Sequence, residues 1–151
     1  MTENEPLLSR RLLLAAFLAA IVAGGATALA SFGNVSAPGT EAFRFSRGTA
    51  LAAGEEARLK GYLAPALQDD RLRVVIVGHS GMEGESSSNL ELSEKRAASA
   101  QGIAFEMGIA PERVLAAGVG PGAPLPREAG QPDDVYEARL ARVEVTLQVR
   151  R

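Results

Sequence analysis

The sequence contains no cysteine, no tryptophan and only one histidine, His79. Without cysteine, the chain forms no disulfide, zinc–thiolate site or thiol nucleophile, and no cysteine can carry a lipid. A single histidine also limits acid–base catalysis, because an imidazole is the commonest base near neutral pH. We therefore expect a protein that is not an enzyme and that has neither a metal nor an organic cofactor.

The sequence also lacks a strong excess of charge of one sign. Sixteen lysines and arginines stand against eighteen acidic residues, for a formal net charge of −2. This balance gives no reason to expect nucleic acid or an anionic membrane surface as a partner. The 151 residues, of which only 5% are aromatic and 16 are glycine, suit one small and closely packed α/β domain.

One long apolar segment is present. Residues 12–30 form nineteen positions without a charged side chain, and Arg10 and Arg11 precede them. At ~1.5 Å per residue, a helix over this segment would span about 28 Å, close to the ~30 Å hydrocarbon layer of a bilayer. The segment is therefore predicted to enter or cross a membrane.

Two interpretations of this segment remain open. As a signal anchor, it would keep the two arginines in the cytoplasm and place the later residues on the far side of the membrane. As a cleaved signal peptide, it would end at Ala28-Leu29-Ala30, whose small–x–small pattern suits cleavage near Ala30. Residues 31–41 then read as a linker to a domain over 42–151, which lies beyond the membrane in either case.

The patterns after residue 41 predict alternating strands and helices. Strands are expected at 42–47, 71–77, 113–119 and 142–149, and helices at 54–67 and about 89–107. Four prolines and two glycines make 121–134 a loop. The order β-α-β-α-β-loop-β predicts a two-layer α/β sandwich, in which helices cover one face of a small mixed sheet. In the last strand Val143, Val145, Leu147 and Val149 are expected to point inward.

The residues 71–100 carry the chemistry, as a buried strand, a polar loop and an amphipathic helix. Gly78-His79-Ser80 resembles the start of a hydrolase nucleophile elbow, with Ser80 as nucleophile. However, Met82 stands where that turn needs its second glycine. His79 is the only available base, and adjacent side chains leaving a strand point to opposite faces. We therefore reject a hydrolase.

A second resemblance covers residues 42–149. The spacing of glycines, polar residues and an arginine is similar to that of the OmpA-like C-terminal domain, a periplasmic module also found in peptidoglycan-associated lipoproteins and flagellar stator proteins. The matching positions in the loop and helix are Gly78, His79, Ser80, Gly84, Asn89, Leu92, Ser93, Arg96 and Ala97. Those further on are Gly108, Ile109, Arg113, Val114, Gly118, Gly120, Pro124, Arg142, Val143, Glu144 and Val145.

The resemblance implies non-covalent binding of peptidoglycan through the diaminopimelate residue of its stem peptide. In the family a loop Asp takes the ammonium group of that residue and a helix Arg takes its carboxylate. Arg96 matches the Arg, whereas Gly81 occupies the Asp position. Loss of a charged hydrogen bond of roughly 1.5–3 kcal/mol would weaken binding about ten- to a hundredfold. Leu140 and Ala141 also replace the usual Asn and Arg.

Each candidate residue also has a simpler explanation. Glu83 is a possible substitute for the lost carboxylate, or else a solvated loop acid. Arg96 is either a ligand contact or an exposed arginine paired with Glu91 or Glu94. Asn89 is expected to cap the helix, and residues 86–88 to be solvent-facing loop.

Two functions therefore remain. One is a membrane-associated periplasmic domain that binds peptidoglycan, weakened by the loss at Gly81, with Arg96, Ser80, Asn89 and Glu83 forming the site. The other is a degenerate module that has lost the ligand and acts as an interaction or structural domain for other cell-envelope proteins.

Overall fold

A computed structural model of the protein describes residues 39–149. The predicted membrane segment and most of the predicted linker lie outside these residues. The strands are β1 (Thr40–Arg47), β2 (Ala50–Leu51), β3 (Leu72–Gly78), β4 (Val114–Gly118) and β5 (Arg142–Val149). The helices are α1 (Glu55–Gln68), α2 (Ser86–Glu106) and α3 (Asp133–Leu140), with a 3-10 turn at Pro111–Arg113. None of the three has the length and apolar character that a bilayer crossing requires.

The five strands form one mixed sheet in the order β2-β1-β5-β3-β4. β3 and β4 run parallel, with α2 as the crossover between them, and the other neighbours are antiparallel. β5 pairs with β1 on one side and β3 on the other, so the last strand lies at the centre. The predicted α/β sandwich with a small mixed sheet is confirmed.

The core lies between the sheet and the helices α1 and α2. Phe43, Val74 and Val145 of the sheet are fully buried, together with Leu59 and Leu63 of α1. From α2 the contribution is Ala97, Ala100, Ile103 and Ala104. The small side chains let this helix approach the sheet closely, which agrees with the low aromatic content.

The alternation predicted for the last strand is correct except at its end. Val143, Val145 and Leu147 are buried, but Val149 is 53% exposed. Val149 pairs with Leu72, the first residue of β3, so it lies at the outer end of the sheet. The alternation of apolar residues in the sequence therefore extends one apolar residue, Val149, beyond the core.

Two bounds differ from the prediction by more than one residue, and two elements were not predicted. β1 begins at Thr40, inside the predicted linker, and a two-residue strand β2 follows it. Helix α2 begins at Ser86, so the serines assigned to the loop form its exposed first turn. Helix α3 begins at Asp133, inside the predicted loop.

Two glycines let α2 lie against the ends of the parallel strands. Gly78 of β3 pairs with Gly118 of β4. A Cβ on either residue would overlap Ser93, at its backbone oxygen for Gly78 and its side-chain oxygen for Gly118. The Ser93 hydroxyl donates to the carbonyl of Leu90 at 2.7 Å and accepts the Gly120 N–H at 2.8 Å. This contact fixes α2 one turn before Arg96.

Candidate functional site

Arg96 belongs to α2, and its side chain reaches the residue that follows β3. Only 5% of its surface is exposed. Its Nε donates to the carbonyl of Gly48 at 2.8 Å, and its Nη1 donates to the carbonyl of His79 at 2.9 Å. The expected alternative, an exposed arginine paired with Glu91 or Glu94, is wrong. Glu91 instead pairs with Lys95 at 2.7 Å. Arg96 thus ties the β1–β2 turn to the residue that follows β3.

One nitrogen of Arg96 has no hydrogen-bond partner within residues 39–149. Over the same range, the only fully buried side-chain nitrogens without a hydrogen-bond partner are the two of His79. Nη2 of Arg96 is not among them, so it retains some access to the surface. The guanidinium carbon lies 5.3 Å from the ring centroid of Phe45. Burial lowers the pKa of Arg96, but arginine stays charged at any physiological pH. Among residues 39–149 the site therefore contains a fixed cation with one donor group that has no protein partner.

Ser80 and Asn89 shape the loop between β3 and α2. Ser80 is buried, its hydroxyl donates to the carbonyl of Gly81 at 3.0 Å, and its N–H donates to Gly120. The Asn89 side chain donates to the carbonyl of Glu83 at 2.9 Å. Asn89 is the fourth residue of α2 and Glu85 is the N-cap, so the predicted capping role is wrong. Asn89 closes the loop from inside the helix.

At Gly81 a carboxylate does lie close to the loop, and it comes from another element. A Cβ built on Gly81 would overlap Oε2 of Glu137, a residue of α3, and would lie 3.3 Å from Cδ of that side chain. Oε2 also accepts the N–H of Met82 at 2.9 Å. Glu83, the substitute considered from the sequence, is exposed and contributes only its backbone carbonyl to a hydrogen bond within residues 39–149.

Helix α3 holds Glu137 in place through its buried residues. Tyr136 is buried and its hydroxyl donates to the carbonyl of Leu125 at 2.8 Å. Leu140 is fully buried, and the carbonyl of Ala141 accepts the N–H of Phe45 at 2.9 Å. Leu140, one departure from the family motif, is therefore part of the buried face of α3, and Ala141, the other, packs against the core.

A charged cluster lies next to the loop. Nε and Nη2 of the buried Arg142 lie 2.8 and 2.7 Å from Oε1 of Glu144, and Nε2 of His79 lies 3.6 Å from the same oxygen. His79 and then Arg142 hold the pKa of Glu144 at about 2, against a usual 4.5. The His79 backbone N–H also donates to the carbonyl of Arg142 at 2.9 Å. Together these contacts fix the residue whose carbonyl binds Arg96.

The described residues contain neither a Ser80–His79 hydrogen bond nor a cluster of metal ligands. The Ser80 hydroxyl is bonded to Gly81, and neither ring nitrogen of His79 has a hydrogen-bond partner within 39–149. A nucleophile and its base would have to lie within hydrogen-bond reach. Over the same range, no three His, Asp or Glu side chains converge as metal ligands.

The site thus combines residues that the sequence predicted with others that it did not. Arg96, Ser80, Gly81 and Asn89 lie together around the loop, while Glu83 faces solvent. Glu137, Arg142 and Glu144 were not predicted as site residues. For Arg142 and Glu144, the resemblance of residues 142–145 to the family motif could have given the signal. Glu137 has no such signal, because it reaches the loop from an element that was not predicted.

Several solved structures share this fold. The peptidoglycan-associated lipoprotein from Burkholderia pseudomallei matches with a TM-score of 0.61 at 21% identity, over 73% of this chain and 90% of that one. A putative MotB-like protein from Desulfovibrio vulgaris matches with a TM-score of 0.59 at 23% identity, over 97% of this chain and 98% of that one. The OmpA-like domain of FopA1 from Francisella tularensis gives 0.59 at 20%, over 74% and 75%. No curated protein matches the chain.

At these identities the structural matches show the fold alone, and a sequence comparison supplies the family. The OmpA family model matches residues 44–139, well over half of the chain. The matched range contains Arg96, the loop that follows β3 and all but the last residue of α3. The chain therefore belongs to the OmpA family.

Proposed function

We propose that this protein binds peptidoglycan non-covalently, at the loop after β3, through the diaminopimelate residue of the stem peptide. The observation that carries the proposal is the hydrogen bonding of the Arg96 side chain. Two of its nitrogens are fixed by the carbonyls of Gly48 and His79, and Nη2 has no protein partner within residues 39–149. A carboxylate of the ligand would accept from Nη2 at this position.

The fixed geometry favours such an interaction. A guanidinium that is already ordered loses little side-chain freedom when an anion binds. Its burial strengthens a charged hydrogen bond relative to one in open water. Arg96 therefore has both a structural role, in tying the β1–β2 turn to His79, and a ligand role at its remaining nitrogen.

We also propose that the protein acts in the cell envelope, with this domain on the periplasmic side. Residues 12–30 would hold it at a membrane as a signal anchor, or would be removed near Ala30 during export. Structural relatives include a peptidoglycan-associated lipoprotein and periplasmic domains of MotB from Helicobacter pylori, which supports the envelope as the compartment. Peptidoglycan and other envelope proteins are the proposed partners.

Co-sedimentation with purified peptidoglycan sacculi of the diaminopimelate type tests the binding proposal. The full-length chain, in mild detergent, should pellet with the sacculi. Arg96→Lys should weaken binding about tenfold or more. The single nitrogen of lysine cannot replace the three guanidinium nitrogens, of which two bind carbonyls and the third faces the ligand.

Arg113→Lys is the matched control, since Arg113 is a second part-buried arginine that binds backbone carbonyls, at the opposite end of β3. It should lower the melting temperature and leave binding unchanged. If the wild-type chain stays in the supernatant, or if folded Arg96→Lys binds as well as wild type, the proposal is wrong.

A second function has one observation in its favour. The contacts of Arg96 with Gly48 and His79 explain the arginine structurally without any ligand. A module that has lost peptidoglycan and serves as an envelope interaction domain would show the same contacts. Wild-type protein that remains soluble beside sacculi, while staying folded, would favour this alternative.

A further inference from the structure

We propose that Glu137 supplies the anionic half of the ligand site, by binding the ammonium group of the amino-acid end whose carboxylate Arg96 takes. This inference rests on the function proposed above. It assigns a role to a residue of α3 that lies far from the loop in sequence and was not among the predicted site residues.

The Glu137 carboxylate lies at the position of Gly81. Oε2 of Glu137 occupies the space that a Cβ on Gly81 would fill, and Met82 N–H holds it there at 2.9 Å. A side chain at position 81 and Glu137 in this conformation exclude each other. Glycine at 81 is therefore what allows a carboxylate from α3 to reach the loop.

Glu137 has no cationic partner among the residues that the structure describes. Its carboxylate makes no salt bridge within residues 39–149, although nearby acids do. Asp133 pairs with Arg127 at 2.7 Å and Glu128 pairs with Arg139 at 2.9 Å. Glu137 is half-buried, so one carboxylate oxygen is bound by the loop and the group remains open to a cationic ligand.

One short loop holds both charged side chains. Arg96 binds the carbonyl of His79, and Glu137 binds the N–H of Met82, three residues further along the same loop. A cation and an anion are therefore both anchored to this loop. An α-amino acid carries its ammonium and its carboxylate on one carbon, so it offers the two opposite charges that such a pair would bind.

The test combines a protein variant with a chemical variant of the ligand. Glu137→Gln keeps an oxygen that can accept the Met82 N–H and removes only the charge. Acetylation of the free amino groups of the sacculi removes the ammonium. We expect Glu137→Gln to weaken binding to untreated sacculi about ten- to a hundredfold, as for loss of a charged hydrogen bond.

Acetylation should weaken binding of the wild-type chain by a similar factor, and should have little further effect on Glu137→Gln. Asp134→Asn is the matched control, because it removes one negative charge from an exposed position of the same helix. It should bind like wild type and should respond to acetylation like wild type.

A double substitution moves the carboxylate back to the loop. Gly81→Asp combined with Glu137→Ala removes the overlap and should bind at least about ten times more tightly than Glu137→Ala alone. If the double variant binds sacculi no better than Glu137→Ala, the proposal is wrong, because restoring a carboxylate to the loop would then not restore binding.

The remaining outcomes separate this proposal from the proposed function. If Arg96→Lys loses binding and Glu137→Gln does not, peptidoglycan binding stands and the role of Glu137 is wrong. If acetylation affects Glu137→Gln as strongly as wild type, Glu137 only supports the loop. If the wild-type chain does not bind sacculi, both proposals fall together.

Discussion

Gly78→Ala is the substitution that should most directly separate α2 from the sheet. The added methyl would overlap the backbone oxygen of Ser93 and would lie 3.0 Å from its carbonyl carbon and 3.1 Å from the N of Ala97. These are backbone atoms of a helix, which no rotamer change can move. Relief therefore requires a shift of the helix itself.

The expected cost follows from that geometry. Overpacking of a core typically destabilises by 1–3 kcal/mol, and a clash with backbone belongs at the upper end, so we expect about 3 kcal/mol. In a domain of this size 1 kcal/mol shifts the melting temperature by roughly 4–8 °C. Gly78→Ala should lower it by about 12 °C or more, and the shift of α2 should weaken sacculus binding by displacing Arg96.

Thermal unfolding followed by circular dichroism provides the assay, with Gly102→Ala as the matched control. Gly102 lies in the same helix, and a Cβ built on it meets nothing within 4 Å. Alanine is favoured over glycine inside a helix by about 1 kcal/mol, so this variant should melt a few degrees above wild type. A Gly78→Ala variant that melts within about 3 °C of wild type would refute the close contact.

Two further predictions concern half-buried charged groups, Arg113 and Glu144. Arg113 donates to the carbonyls of Ala66, Asp69 and Leu72, so Arg113→Ala leaves several acceptors unpaired. It should lower the free energy of unfolding in urea by about 3 kcal/mol, and a loss under 1 kcal/mol would contradict this reasoning. The pKa of Glu144 is about 2 in the folded state, below its usual 4.5. Its contribution is complete above pH ~4.5 and is lost as the pH falls towards 2. With partial exposure it amounts to about 1–2 kcal/mol, so Glu144→Gln should flatten the acid side of a stability–pH profile; an unchanged profile would show that Glu144 is not responsible.

The strands and long helices were predictable because their hydrophobic patterns are local. The pattern of Val143, Val145 and Leu147 gave the bounds of β5, and the run at Val74 predicted a strand buried on both faces. Gly108 follows the predicted end of α2, and its positive φ of 94° is a conformation in which many helices end. The prediction missed α3. Its eight residues follow a segment rich in proline and glycine, and only two of its side chains, Tyr136 and Leu140, are buried.

The site was predictable only in part, because its contacts join distant segments. The register from Gly78 to Ala97 identified the loop and Arg96. The partners of Arg96 are carbonyls at Gly48 and His79, and no side-chain pattern reports on backbone acceptors. Glu137 shows the same limit, since only the fold brings α3 to the loop. The loss of a carboxylate at Gly81 stays a prediction, and the sequence did not indicate Glu137, whose Oε2 fills the space that a Cβ at position 81 would need.

The place of β5 in the sheet has a consequence for how the chain becomes structured. β5 is the last strand in sequence, yet in the sheet formed by residues 39–149 it is the strand that pairs with both β1 and β3 and so joins the pair β2–β1 to the pair β3–β4. Until Arg142–Val149 has been added, the earlier strands form two separate pieces with open edges on β1 and β3. Closing them requires contacts across about a hundred residues, such as Thr40 with Thr146, and such long-range pairing slows folding. The domain therefore acquires its sheet, and with it the held position of Arg96, only when its final strand is in place.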